Sequence, residues 1–175
     1  ENNLKKKRTK IDKRMTLSEA VATFVNDGDI VADSGFSYVR SPLMAHFEIC
    51  RQQKKQLQYI GSPNTLQSFT VFAGCCNYTH NSYVGAEMRG TDRMFSASVK
   101  QGRTKIISEW GHGSMGIGFK AAQYGMPYAA SKQLLGSDML KYNPYVKETI
   151  DPWSGKPAVL IPALHPDVVF IHCQQ

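Results

Sequence analysis

The chain has 175 residues, 42% of them hydrophobic and 20% charged, and a formal net charge of +7. That length and balance suit a water-soluble domain with a proper core, and no apolar run approaches the roughly 18–20 residues of a membrane span. The charge is uneven: residues 1–14 hold seven basic residues against Glu1 and Asp12, so they carry +5 and the rest only +2.

Residues 1–14 read as a basic, flexible tail ahead of one α/β domain over 15–175. No aromatic residue interleaves with these charges, so a base finds no stacking surface, and nucleic-acid binding is not expected. The basic start leads into an amphipathic helix, not a continuous apolar segment, so it does not read as a signal peptide. The expected compartment is the cytoplasm.

Thr16-Leu-Ser-Glu19 is a capping box. Leu17, Ala20, Val21, Phe24 and Val25 then recur at helical spacing, and Asn26-Asp27-Gly28 stops the helix. Residues 29–32 form a short apolar strand that Ser34-Gly35 turns. Ser41-Pro42 starts a second helix through Leu43, Met44, Phe47 and Ile49, ending in the basic stretch 51–55. A strand over 57–60 and a helix over 66–72 follow. Residues 78–84 are open between strand and loop; Asn81, Ser82 and Glu87 read as solvent or packing residues.

Residues 105–108 read as a strand and 114–124 as a helix. Met115, Ile117, Phe119, Ala121 and Ala122 lie on more than one side of it, which predicts packing between two layers. Gly125-Met-Pro127 ends it, and a strand begins at 128–130. Asp151-Pro152-Trp153 reads as a turn with an aromatic anchor. Two more strands span 158–161 and 168–172. Alternating strands and helices argue an open, largely parallel sheet flanked by helices. The last strand has no closing helix after it, which suggests completion by another chain or by more of the same chain.

Cys50, Cys75, Cys76 and Cys173 show no CxxC pair and no regular spacing, so reduced thiols are expected. The five histidines form no ligand pattern with them, and no metal site is expected.

Between the strand at 105 and the helix at 114, Gly111, Gly113 and Gly116 satisfy G-x-G-x-x-G, the dinucleotide fingerprint. Asp138 stands 22 residues past Gly116, near where a ribose-binding acid belongs. Three features oppose that reading. Glu109-Trp110 stands where the motif wants apolar strand core, and a buried carboxylate beside a pyrophosphate is electrostatically wrong. The motif lies past the middle of the chain. Asp138 sits in a loop-like Leu135-Gly-Ser-Asp138. Glu109 has two readings. It is a helix-dipole or salt-bridge partner, or a carboxylate at a strand end, placed for nucleophilic or base catalysis, with His112 able to share its proton.

Residues 27–42, DGDIVADSGFSYVRSP, resemble the α-side signature of the family I CoA-transferases. That signature is Asp/Asn-Gly, two free positions, three apolar residues, Gly-Gly-Phe, three free positions and Gly-x-Pro. Asp27-Gly28, Ile30-Val31-Ala32, Gly35-Phe36 and Pro42 fit it. Asp33 departs from the apolar run, Ser34 replaces the first glycine of the pair, and Arg40 replaces the later glycine. The resemblance continues through residues 105–118, Gly125-Met-Pro-Tyr128, Leu134-Leu-Gly-Ser-Asp138 and the closing DPWSGKPAVLIPALHPDVVFIHCQQ. It covers about Met15 to the end. Family α subunits continue well past the point matching Gln175, so the chain resembles the front part of one.

The resemblance implies a CoA-transferase/NagB-RpiA-like α/β fold. It implies that the partner is a homologous β subunit, in a heterodimer or α2β2 assembly, with the active site between them. A coenzyme A thioester is the substrate, and no tightly bound cofactor is implied. A glutamate attacks the acyl-CoA, and in the glutaconate-type enzymes it belongs to β. The α side supplies contacts, here Ser34, Gly35, Phe36, Arg40, His112, Lys132, Ser137 and Asp138. Lys132 stands where the family often has arginine, so it can pair with a substrate carboxylate without bidentate geometry. Some relatives perform hydrolysis, ring opening or decarboxylation, and the ring-opening hydrolases implicate an α-side glutamate near Glu109. The expected function is CoA transfer on a carboxylate-bearing acyl-CoA. The alternatives are hydrolase or decarboxylase chemistry with Glu109 catalytic, a non-catalytic scaffold subunit, and a dinucleotide-binding module.

Overall fold

The structure is a computed structural model that describes residues 12–35, 39–61, 67–85 and 90–173. Phe36, Glu87 and most of the basic tail lie outside the described residues.

Helix α1 (Leu17–Phe24) opens on the expected capping box. The Glu19 N–H donates to the Thr16 hydroxyl at 3.2 Å, and the Glu19 carboxylate accepts the Thr16 N–H at 2.9 Å. Four strands then alternate with three helices: β1 (Ile30–Asp33), α2 (Leu43–Arg51), β2 (Leu57–Gly61), α3 (Gln67–Phe72), β3 (Cys76–Asn81), α4 (Arg93–Lys100) and β4 (Lys105–Glu109). Helix α4 has no apolar stripe long enough to announce it. Its start is fixed by Asp92, whose carboxylate accepts the Phe95 N–H at 2.9 Å and the Ser68 hydroxyl at 2.5 Å.

Strand β8 (Val168–Phe170) returns to pair with β1, so the sheet order is β4-β3-β2-β1-β8 with every pairing parallel. The parallel sheet the alternation predicts is therefore present. The rest of the chain does not extend it. Helix α5 (His112–Gln123), β5 (Tyr128–Ser131), α6 (Met139–Tyr142), β6 (Lys147–Ile150) and β7 (Pro157–Pro162) build a second layer. There β5 and β6 flank β7, both antiparallel to it.

Alternate residues of a strand face opposite sides, and the two cores follow that rule. Val31 and Tyr59 join Val21, Ile49, Val71 and Phe95 under α1–α4 on one face. Their neighbours Ala32 and Ile60 turn the other way and meet Trp110, Met115, Val159 and Ile161. Helix α5 thus lies between the parallel sheet and the antiparallel one, as its apolar pattern predicts. Its approach to the segment after β7 is close. A Cβ on Gly118 would stand 2.7 Å from Leu164 Cγ, while the Leu164 N–H donates to the Gly118 carbonyl at 3.1 Å.

All four cysteines are free. Burial pushes the Cys76 thiol up to about 12, which keeps it protonated and unreactive. Among the described residues no helix is long and apolar enough to cross a membrane, and no group of His, Cys, Asp and Glu could hold a metal ion.

Candidate active site

A parallel sheet gathers the carboxyl ends of its strands along one edge. Here Asp33, Gly61, Asn81, Glu109 and Phe170 end β1, β2, β3, β4 and β8. The chain runs outward from β1 to β4, then crosses back to the other side of β1. The reversal falls between β1 and β8, and open α/β sheets bind ligands outside such a switch point.

Ser34 and Gly35 leave β1 at that point. The Ser34 N–H donates to the Phe170 carbonyl at 2.8 Å, and its hydroxyl accepts the His172 N–H at 2.9 Å. His172 Nδ1 lies 3.1 Å from the Ser41 carbonyl. Gly35 has φ +112°, and a Cβ there would stand 2.6 Å from Ser41 Oγ and 2.8 Å from the Arg40 carbonyl. Only glycine fits. Beside these residues a cleft of about 290 Å³ is lined by Leu17, Pro42, Met44, Phe170 and Ile171.

Arg40 explains one departure from the expected pattern. Its φ of +57° is left-handed backbone, the conformation a glycine adopts freely. The chain keeps the turn and carries the strain on an exposed arginine. Arg40→Gly is expected to raise stability by up to about 1 kcal/mol, read as a higher midpoint of thermal unfolding. Ser34 needs no such conformation and replaces its glycine without strain.

A second group forms at the other end of the edge. Glu109 pairs in register with Asn81. Its carboxylate is exposed and has no hydrogen-bond partner among the described residues; its carbonyl accepts Asn143 Nδ2 at 2.8 Å. It lines a cleft of about 420 Å³ with Ile106, Ser108 and Tyr142. Below it, the indole N–H of Trp110 donates to Ser108 Oγ at 2.7 Å, and Ser108 Oγ meets His80 Nδ1 at 2.8 Å. Burial lowers the His80 pKa. Burial thus favours the neutral ring, whose Nε2 faces the side-chain amide oxygen Oε1 of Gln58 at 3.4 Å.

Gly111 is the N-cap of α5, with no side-chain cap, so the first-turn N–H groups of α5 have no side-chain acceptor among the described residues. His112 opens the helix, exposed, with its ring 6.1 Å from the Tyr83 ring. Gly113 and Gly116 lie inside α5, and none of the three glycines has a positive φ. The spacing of the dinucleotide fingerprint is met without its loop. Asp138 is exposed and pairs with Lys141 at 2.8 Å.

The remaining expected contacts separate. Ser137 caps the turn after β5, its hydroxyl donating to the Leu134 carbonyl at 2.8 Å. Lys132 lies in a groove of about 750 Å³ on the outer side of the antiparallel sheet, with Asp151 and Trp153. The fold thus brings Glu109 and His112 together at the start of α5, and Ser34, Gly35 and Arg40 together at the switch point. Three strand spacings, about 14 Å, separate the ends of β4 and β1.

Asn81 and Ser82 read in the sequence as packing or solvent residues. Their Oδ1 and Oγ are buried without a partner among the described residues. Unsatisfied buried atoms at a strand's carboxyl end mark a place where a ligand or water is needed. His172 belongs to the closing segment that carries the resemblance, without being read there as a contact.

Residues 14–175 match the family model described as Coenzyme A transferase. The chain belongs to the coenzyme A transferase family. It is 34% identical over 164 residues to the A subunit of 3-oxoadipate CoA-transferase from Pseudomonas knackmussii, covering 92% of this chain and 58% of that one. It is 28% identical over 187 residues to the A subunit of glutaconate CoA-transferase from Acidaminococcus fermentans, covering 94% and 57%. An uncharacterized protein of Archaeoglobus fulgidus is 38% identical over 169 residues, covering 95% and 38%. The chain therefore spans well under two thirds of the length of these curated relatives.

Among solved structures, the A. fermentans glutaconate CoA-transferase superposes with a TM-score of 0.85 at 24% identity, over 92% of this chain and 56% of that one. That likeness establishes the fold. The decarboxylase AibA/AibB superposes with a TM-score of 0.83 at 25% identity, over 91% and 62%.

Proposed function

We propose that this chain is the α-side part of a heteromeric, cytoplasmic CoA-transferase that moves coenzyme A between carboxylic acids, one of them a carboxylate-bearing acyl-CoA. The observation that carries this reading is the family match over residues 14–175, joined to two relatives named as the A subunits of CoA-transferases. The partner is a homologous β subunit, which supplies the attacking glutamate. The acyl-CoA is substrate, and no resident cofactor is needed.

In this reading the chain's own groups hold and polarise. Ser34 and Gly35 present backbone at the switch point, where Arg40 offers charge to a carboxylate or phosphate. The uncapped start of α5 supplies N–H groups and the positive end of a helix dipole, which favour negative charge developing on a thioester oxygen. His112 stands beside them.

One observation favours a second reading. The Glu109 carboxylate is exposed, unpartnered among the described residues and open to its own cleft, and one structural relative is a decarboxylase. Glu109 then acts as base or nucleophile in hydrolysis or decarboxylation.

The test uses the complex with its β partner, a panel of dicarboxylic acyl-CoA esters, and mass spectrometry with and without acetate. Transfer predicts acetyl-CoA formation that depends on acetate, and Glu109→Gln retaining activity within about threefold. Acetate-independent loss of the ester, together with an activity loss of about 10²–10⁴-fold in Glu109→Gln, overturns transfer in favour of the second reading.

A further inference from the structure

Asp33 is the last residue of β1 and stands where the family pattern has an apolar residue. Its side chain is 2% exposed. One carboxylate oxygen lies 2.8 Å from His46 Nε2, and the other accepts the Tyr59 hydroxyl. His46, 1% exposed, sits in the first half of α2, and Tyr59 is buried in β2. Gly61 permits this arrangement, because a Cβ there would occupy the space of the Tyr59 ring. His46 Nδ1 is buried without a partner among the described residues, so the ring's side-chain hydrogen bond goes to Asp33.

Residues 33 and 46 flank the connection from β1 to α2. The described ends of that connection, Ser34-Gly35 and 39–42, form one wall of the switch point. The Asp33–His46 bond therefore ties its two stems, and Tyr59 ties the first stem to the centre of the sheet. Burying a carboxylate and an imidazole here adds little stability over apolar residues of the same size. What it adds is direction, since an apolar contact would leave Asp33 free to slide. Any slide passes to Ser34, whose backbone and hydroxyl meet Phe170 and His172.

We propose that Asp33 is a positioning residue, whose buried bonds to His46 and Tyr59 clamp the stems of the β1–α2 connection and preorganise Ser34, Gly35 and Arg40 for the acyl-CoA. The kinetic part of this inference rests on the CoA-transferase reading; the structural part does not.

The test compares the wild-type complex with Asp33→Leu/His46→Leu/Tyr59→Phe, which replaces the clamp by apolar packing, and with Tyr59→Phe alone, which deletes one oxygen. The expected triple variant unfolds within about 5 °C of wild type. Its amides at Ser34, Arg40 and Ser41 exchange about tenfold faster, while those of β3 keep their rates. Its KM for acyl-CoA rises about tenfold with kcat within about threefold, the mark of lost preorganisation. Tyr59→Phe gives a smaller acceleration at the same amides and serves if the triple variant does not fold. Wild-type exchange at these amides in the variants overturns the clamp, as does a wild-type KM in a stable triple variant. A wild-type complex that transfers no CoA overturns the functional reading instead, and the exchange rates alone then decide the clamp.

Discussion

Asp33→Leu, made alone, is expected to lower the unfolding free energy by about 3–5 kcal/mol. Leucine keeps the branching and the number of side-chain heavy atoms, so the main loss is one of pairing. It removes the acceptor of two buried groups at once. His46 is left with neither ring nitrogen paired among the described residues, and Tyr59 loses its bond to the carboxylate. Each stranded polar group costs about 1–3 kcal/mol. With a urea slope of about 2–3 kcal/mol per molar for a domain of this size, the midpoint should fall by about 1 M or more. Adding His46→Leu and Tyr59→Phe should recover most of that fall, because the cost lies in broken pairing and not in apolar burial. A fall below about 0.3 M in the single variant would refute the account.

Trp110→Ala should cost a comparable amount, about 3–5 kcal/mol, by a different route. Trp110 is 1% exposed and fills the space between Ile60 and Ala32 of the parallel sheet, Met115 of α5, and Val159 and Ile161 of β7. Truncation opens a cavity where three layers meet, and it takes the indole donor from Ser108. Trp110 also joins Glu109 to Gly111, so the start of α5 loses its anchor and Glu109 shifts with it. Urea unfolding followed by circular dichroism measures the loss, because the variant lacks the indole, and fluorescence of the parent checks the burial. The chain has two tryptophans, and Trp153 is 93% exposed. A Trp153→Phe background then reports Trp110 alone, with blue-shifted native emission that moves red on unfolding. Red-shifted emission from the folded protein would contradict the burial on which this prediction stands.

How far the sequence reveals these features depends on the range of the interaction. Local chemistry was legible: the capping box at Thr16, the strand over 105–108, the helix over 114–124 that begins two residues earlier at His112, and Asp33 and Arg40 as departures from a pattern. The second sheet was not. Residues 128–131 and 157–162 have the same short apolar runs as the strands of the parallel sheet, and nothing in them specifies an antiparallel partner. Strand β6, Lys147–Ile150, lies at an edge and is mostly exposed, so it lacks the apolar run that announces buried strands. The glycine fingerprint misled because spacing says nothing about φ; Gly113 and Gly116 are ordinary helix residues here. The clamp was half visible. Asp33 stood out, but His46 and Tyr59 lie 13 and 26 positions away, on elements that only the fold brings to it.

The pairing of β8 with β1 also sets an order of assembly. Neighbouring strands from β1 to β4 can zip together in sequence, each contact closing a short loop. The last pairing joins residues 137 positions apart, as in the bond from the Ile30 N–H to the Asp167 carboxylate at 2.8 Å. Such a contact has the largest closure entropy of the sheet and slows folding. On a ribosome adding about 5–20 residues per second, β4 emerges several seconds before β8 does. During that interval β1 shows a bare, apolar edge, the kind of strand edge that recruits other chains. The edge of β1 that β8 later covers thus stays open in the nascent chain until this last pairing forms.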